Sequence, residues 1–200
     1  ANYIHNFKSI VDVYELCARF GKTIFALMCF SLSSRNTMVF TAYYQSAFGS
    51  IRNEVSKWHQ FSDMRVVDAR GPDAENNYNR YRKKGYKVVV ICGIHNRNDW
   101  FSKYQWVADI TDKIVIGDEV DFGFHTENSS AKVKILQGDA YLLAMSGTGA
   151  DKMRVHFDVR KHETYTMDQM LELKSYLDEN PGYENTVFKE FIGVVENAFA

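Results

Sequence analysis

"YELCARFGKTIFALM", residues 14–28, is the stretch on which the fold turns. Its apolar run "VYELC" (13–17) passes through "ARFG" into a second run, "KTIFALMCFSL" (22–32), that is apolar all round. The pattern reads as a strand, a turn and a buried helix. Where a strand stops and a helix begins, free N–H groups and the positive end of the helix converge, so the junction is suited to an anion. Lys22 at such a point reaches outer phosphates, and the Thr23 hydroxyl can hold Mg²⁺. The plainer alternative is a solvated Lys22 and a Thr23 at an ordinary helix start. The pattern G-x-x-x-x-G-K-[ST] requires a glycine at 16, where this chain has Leu16; only Gly21, Lys22 and Thr23 fit.

Outward from that stretch, the chain alternates short β-rich runs with amphipathic ones. Strands are expected at 13–17, 36–43, 64–69, 86–94, 113–119 and 140–148, and helices at 22–32, 46–58, 73–84, 99–111 and 129–137. Most of the strand runs are continuously apolar, as strands covered on both faces are. The rhythm predicts right-handed βαβ units in an α/β domain, with a mostly parallel sheet between layers of helices. After residue 152 the character changes. Residues 163–200 carry eight acidic side chains against two lysines, in two helical patterns separated by "NPG" at 180–182. Residues 1–152 are therefore expected to form the domain, and 153–200 a helical annex or the connection to a further domain.

Composition is compatible with this. The 200 residues are 46% hydrophobic and 24% charged, enough for a sizeable core. A net charge of −1 excludes a histone-like coat of positive charge, though not a motor that grips a backbone through a few groups. Three cysteines at no paired spacing suit reduced thiols and a cytoplasmic setting. No run reaches membrane-spanning length and the N-terminus has no signal-peptide pattern. The chain opens "ANYIHNF" without Met, as a processed or excised chain does.

Two later stretches narrow the chemistry. In "KIVIGDEVDFGFH" (113–125) a strand delivers Asp118 and Glu119 to its C-terminal end, where parallel sheets bind ligands. Adjacent carboxylates there can divide the work, one holding Mg²⁺ and one orienting or deprotonating a water; an ordinary acidic turn is the alternative. In "YLLAMSGTG" (141–149) a strand ends in small hydroxyl residues able to hydrogen-bond the acidic pair to a neighbouring surface. A dinucleotide-binding turn at Gly147-Thr148-Gly149 fails, because its third glycine would be Lys152.

In this order, strand-GKT-helix, DE-x-D strand and SGT strand, the set resembles the first RecA-like motor domain of superfamily 2 helicases and translocases. "ARFGKT" and "DEVDFGFH" are most similar to forms in restriction-enzyme and phage-type DNA helicases. The resemblance covers roughly residues 10–150, with softer matches in "VFTAYYQ" (39–45), "RNEVSKWHQF" (52–61) and "ICGIHNR" (91–97). It implies a RecA-like P-loop fold using ATP and Mg²⁺, with Arg19, Phe20, Gly21, Lys22 and Thr23 around the nucleotide. Lys22 would bind the β/γ-phosphates, Thr23 and Asp118 the Mg²⁺, and Glu119 the attacking water. Asp121, His125, Ser146, Gly147 and Thr148 would couple nucleotide state to movement, and Thr41, Tyr43 and His95 would touch nucleic acid, DNA rather than RNA. Arg19 and Phe20 stand where the family commonly has Thr-Gly, and no Gln precedes the loop. Hydrolysis in this family needs arginines from a second RecA-like domain, so the resemblance implies half of a motor with little activity alone.

Other features have simpler readings beside the functional one. "NRYRKKGYK" (79–87) could hold phosphates and stack a base, or be the solvated end of a helix. Cys92 and His95 have metal-like spacing without a second pair. Trp58, Trp100 and Trp106 fall on helical stretches and read as core. Two rival functions stay open: a P-loop ATPase or switch acting on protein, and a binding module that kept the fold without turnover.

Overall fold

The computed structural model describes residues 10–18 and 20–180. Seven strands form one sheet: β1 (Val11–Leu16), β2 (Thr37–Thr41), β3 (Met64–Asp68), β4 (Lys87–Ile91), β5 (Lys113–Gly117), β6 (Leu142–Ser146) and β7 (Val159–Tyr165). Their order is β3-β4-β2-β5-β6-β1-β7, and every pairing is parallel. Six α-helices connect or follow them: α1 (Lys22–Leu32), α2 (Ile51–Lys57), α3 (Ala74–Lys83), α4 (Trp100–Ala108), α5 (Glu127–Gln137) and α6 (Met167–Glu179). This is the α/β layout, a parallel sheet with helices on both faces, that the strand rhythm leads one to expect.

The apolar runs explain why both sheet faces are covered. Successive side chains of a strand point to opposite faces. Tyr14, Leu16, Met38, Phe40, Ile114, Ile116, Leu143 and Met145 enter one core with Phe25 to Phe30 of α1 and Ile51 and Val55 of α2. The alternating partners, among them Val13, Val39, Val90, Val115, Leu142 and Ala144, enter a second core. There they meet Ala74 of α3, Trp100, Tyr104 and Val107 of α4, and Val133 and Leu136 of α5. Each fully buried Phe of α1 contributes roughly 1.5–3 kcal/mol, enough to hold a helix that starts without a side-chain cap. Its far end is closed by Lys87, whose Nζ donates to the carbonyls of Phe30 (2.9 Å) and Ser33 (2.8 Å). One lysine of the 79–87 run is thus a helix cap rather than a phosphate ligand.

The structure differs from the sequence reading in three places. The helix expected at 46–58 is broken: a 3₁₀ turn covers Gln45–Phe48, α2 follows Gly49 and Ser50, and extended backbone at Trp58 (φ −106°, ψ 128°) ends it. Strands stop earlier than expected, β2 at Thr41 and β4 at Ile91, and the residues beyond turn into loops. The largest correction is β7. Residues 153–200 are expected to be a helical annex or a connection to a further domain, but within them "VRKHETY" (159–165) pairs with β1 along its length and carries the sheet past 152. It is an edge strand of charged, half-exposed residues, a composition that protects sheet edges and carries no apolar signature. The expected second C-terminal helix and the Pro181-Gly182 break lie outside the described residues. No described helix is long and apolar enough to cross a membrane.

β7 also resolves an oddity of β1. Asp12 has no exposure, yet sits in the middle of an apolar strand. Its Oδ1 accepts from Arg160 Nε at 3.0 Å and its Oδ2 accepts from the Tyr141 hydroxyl at 2.8 Å. Arg160→Ala leaves that carboxylate without its cation, so stability should fall by about 1–3 kcal/mol, the cost of a buried charged group losing a partner. Urea unfolding of the two chains checks this, and an unchanged midpoint would refute the pairing.

Candidate functional site

The C-terminal ends of β1, β2, β5 and β6 open onto one edge of the sheet, where parallel α/β sheets take ligands. β1 ends in a tight turn, Phe20 N donating to the Cys17 carbonyl at 3.1 Å, and Gly21 turns into α1 with φ 91° and ψ 49°. A residue with a Cβ is strained in that left-handed region, so the glycine is needed for the turn itself. Phe20 packs its ring against Phe25 and Tyr165, with centroids 6.2 and 5.7 Å away. The loop therefore leans on an aromatic anchor where Thr-Gly would have left it lighter. Arg19 lies outside the described residues.

Lys22 heads α1 and meets the acidic pair. Its Nζ donates to Glu119 Oε1 at 2.7 Å and lies 3.7 Å from Asp118 Oδ1, well inside the reach that a shared site requires. Thr23 lies elsewhere in the first turn, its Oγ1 2.9 Å from the Ser50 hydroxyl ahead of α2. The acidic loop is stitched to the strands on both sides: Asp118 N donates to the Thr41 carbonyl at 2.9 Å and Val120 N to that of Met145 at 3.2 Å. Asp118 Oδ1 accepts from Glu119 N at 2.9 Å. Glu119 stands at φ 51°, the one described non-glycine residue at positive φ. Held backbone strain of this kind concentrates at sites where a side chain must be aimed.

The rest of "DFGFH" has a mechanical explanation. Phe124 is wholly buried, and a Cβ on Gly117 would lie 2.8 Å from its ring. Gly123, at φ 83°, passes so close to Tyr43 that a Cβ would lie 2.6 Å from it. Asp121 reaches β6: Ser146 Oγ is 2.8 Å from Asp121 Oδ1 and 2.6 Å from the Thr148 carbonyl, and it accepts from Thr148 N at 3.2 Å. The loops after β5 and β6 are thereby joined through one hydroxyl. Gly147 and Thr148 form the exposed bend that follows.

Charge is unbalanced in this cluster. Burial pushes the Asp118 carboxyl up to about 6 although Lys22 stands beside it, and the Glu119 charge adds to the rise. For Lys22, burial pulls the ammonium down, but the Glu119 hydrogen bond and the charges of Asp118, Glu119 and Asp121 outweigh it, leaving a net upward shift. One lysine thus faces three carboxylates, a surplus of negative charge that a divalent cation can neutralise. Among the described residues, no group of three or more His, Cys, Asp or Glu side chains is arranged to hold a metal alone. Thr23 and Asp118 could supply only part of a coordination sphere, as is usual for Mg²⁺ shared with a phosphate and water.

The other expected contacts scatter. Tyr43 and His125 line a cleft of about 510 Å³ with Asp121, Phe122 and Lys152, and the Nδ1 of His125 is buried without a hydrogen-bond partner. His95 lies midway along the loop between β4 and α4, its pKa lowered by burial and then by Lys132, Arg70, Arg97 and Lys103. Thr41 is a correction. It has no exposure and its hydroxyl has no hydrogen-bond partner among the described residues, so its side chain offers nothing to a strand passing over the surface.

Sequence reasoning missed Ser50, which no motif marks, and Glu15, whose Oε1 accepts from Ala150 N at 3.0 Å behind the Ser146 bend. An acid within a doubly covered strand was the available signal for Glu15.

No protein-family model matches this sequence, and no curated protein sequence does. Among solved structures, the chain is similar to the UvsW helicase from bacteriophage T4, with 15% identity and a TM-score of 0.44. The likeness covers 80% of this chain and 54% of that one, so the chain spans about half that protein's length.

The raised Asp118 pKa gives a pH test. Its proton is held more tightly in the folded state, so the group favours folding below about pH 4 and that favour is lost as pH rises through about 6. At pH 7.5 the ionised form is a burden on the ligand-free fold. Asp118→Asn should then raise stability by on the order of 2 kcal/mol, and the gain should shrink toward zero by about pH 4. Urea midpoints of both chains across that range check it; a gain independent of pH would refute the cause.

Proposed function

We propose that this chain is the ATP-binding domain of a nucleic-acid-dependent ATPase, a helicase or translocase motor acting on DNA, that works with a second RecA-like domain. The carrying observation is the Lys22 ammonium, 2.7 Å from Glu119 and 3.7 Å from Asp118 at the C-terminal edge of a parallel sheet. A lysine at a glycine-led helix start and an acidic pair at a strand end, 95 or more residues apart in sequence, have no shared structural need that a simpler contact would not meet.

In this reading Lys22 binds the β/γ-phosphates, with Gly21 and the first N–H groups of α1 beside it. Phe20 packs under the loop and sets its height. Thr23 and Asp118 are the side chains that would hold Mg²⁺, which when bound neutralises charge on the phosphate oxygens. Glu119, aimed by its left-handed backbone, orients the attacking water and accepts its proton. Asp121, Ser146, Gly147 and Thr148 carry changes at the acidic loop to the neighbouring strand, and His125 takes part from the same loop. Tyr43 and His95 touch the nucleic acid; buried Thr41 does not. Transition-state charge needs arginines from the second domain, so this chain alone turns over slowly.

Two substitutions separate binding from chemistry in the complete motor. Lys22→Ala removes a charge that faces the phosphates in ground and transition states, so affinity and rate should fall together. Glu119→Gln keeps the shape but cannot take a proton; Mg·ATP affinity should stay near normal while turnover drops by about 10²-fold or more. Nucleotide affinity and steady-state hydrolysis measured side by side give the answer, and near-normal turnover in Glu119→Gln would overturn the assignment of the acidic pair.

A further inference from the structure

The two basic stretches "RNEVSKWH" and "NRYRKKGYK" are separate in sequence and are not used by the nucleotide site. The fold brings them together. α2 runs from Ser50, beside Thr23, to Lys57, and the chain then turns through His59–Phe61 into β3, the strand at the edge of the sheet. Tyr81 of α3 closes the other side. Between them lies a groove of about 660 Å³.

Its charge is one-sided. The lining includes Arg52, Lys57, Arg65 and His59 and not one carboxylate, in a chain whose acids slightly outnumber its bases. Arg52 and Lys57 are exposed. Arg65 is held in place, its Nη1 donating to the carbonyls of Ser62 (3.0 Å) and Met64 (2.8 Å) while its guanidinium lies 3.9 Å from the Tyr86 ring centre. Glu54, the acid of α2, is turned aside by a 2.6 Å hydrogen bond from Trp58 Nε1. That bond also fixes the Trp58 ring in the groove wall, across from Tyr81. Beyond the groove, α3 ends in Arg80, Arg82 and Lys83, with Lys84 following.

We propose that this groove is a second nucleic-acid contact surface, binding the phosphodiester backbone of a single strand along the α2 and β3 flank. The inference rests on the nucleic-acid reading above and extends it to a surface away from the sheet's C-terminal edge. Cations spaced along a channel suit a repeating anion, and aromatic side chains in its wall suit unpaired bases, which a closed duplex would not present. An acidic protein segment would use the cations but leave Trp58 and Tyr81 idle.

The test uses the full chain and a fluorescein-labelled oligothymidylate of about twenty nucleotides. Anisotropy is followed between about 50 and 200 mM salt. Arg52→Glu/Lys57→Glu should weaken binding by about tenfold or more and flatten the log–log salt slope by about 1.4, the share of two single-strand phosphate contacts. Arg52→Ala/Lys57→Ala should fall between that variant and the parent chain, and thermal melts of both verify folding. Parent and variants that bind alike, with equal slopes, overturn the groove while leaving nucleic-acid binding elsewhere intact. A parent chain that binds no oligothymidylate overturns the nucleic-acid reading itself. Polyglutamate bound more tightly than oligothymidylate of equal charge overturns the groove in favour of an acidic protein partner.

Discussion

The ion pair between Lys22 and Glu119, with Asp118 just beyond it, ties the glycine-led start of α1 to the end of β5. β6 stands between β1 and β5 in the sheet, so the contact spans two strand spacings and requires all three strands to be in register. The anchors around it serve that requirement. Phe124 nails the acidic loop into the core, the Thr41 and Met145 carbonyls hold its backbone, and Phe20 steadies the opposite loop. A surface ion pair is worth little in itself. Here its importance is positional, because the cation and the anions arrive from elements that have no other reason to meet.

The same pair sets the electrostatic character of the edge. With the Asp118 charge made costly by burial and Glu119 strained into position beside it, the cluster carries a surplus of negative charge that further positive charge would relieve. Withdrawing Lys22 toward an anion would strand two carboxylates, so an anion arriving without a cation is disfavoured.

Much of this was legible in the sequence for identifiable reasons. Strands covered on both faces are continuously apolar, and β2, β4, β5 and β6 declare themselves that way. Lys22 with Asp118 and Glu119, and Asp121 with Ser146, could be expected to lie together because each follows the end of a strand of the same parallel sheet. What stayed hidden depends on neighbours distant in sequence. β7 has an alternating, charged sequence whose partners, Asp12 for Arg160 and Glu15 for His162, belong to a strand about 150 residues away. The burial of Thr41 follows from the packing over the end of its strand, and Ser50 meets Thr23 only because a break precedes α2. None of these leaves a local trace.

The position of β1 has a consequence for the order in which the molecule can assemble. β2, β3, β4 and β5 occupy residues 37–117 and pair only among themselves, apart from β5 with β6. Among the described strands β1 comes first in the chain and its partners come last: Val11 pairs with Leu142, and Tyr14 with Glu163. As the chain leaves the ribosome, the first strand has no partner until more than a hundred further residues have followed, and both its edges are filled only after β7 emerges. Long-range parallel pairings of this kind are slow to close, and they leave an apolar strand waiting in the open. Its acidic residues, Asp12 and Glu15, gain Arg160 and His162 as partners only when β7 has arrived. The strand that leads into the Gly21 loop is thus held by partners that lie more than a hundred residues further along the chain, so no local segment of the sequence contains the supports of the site.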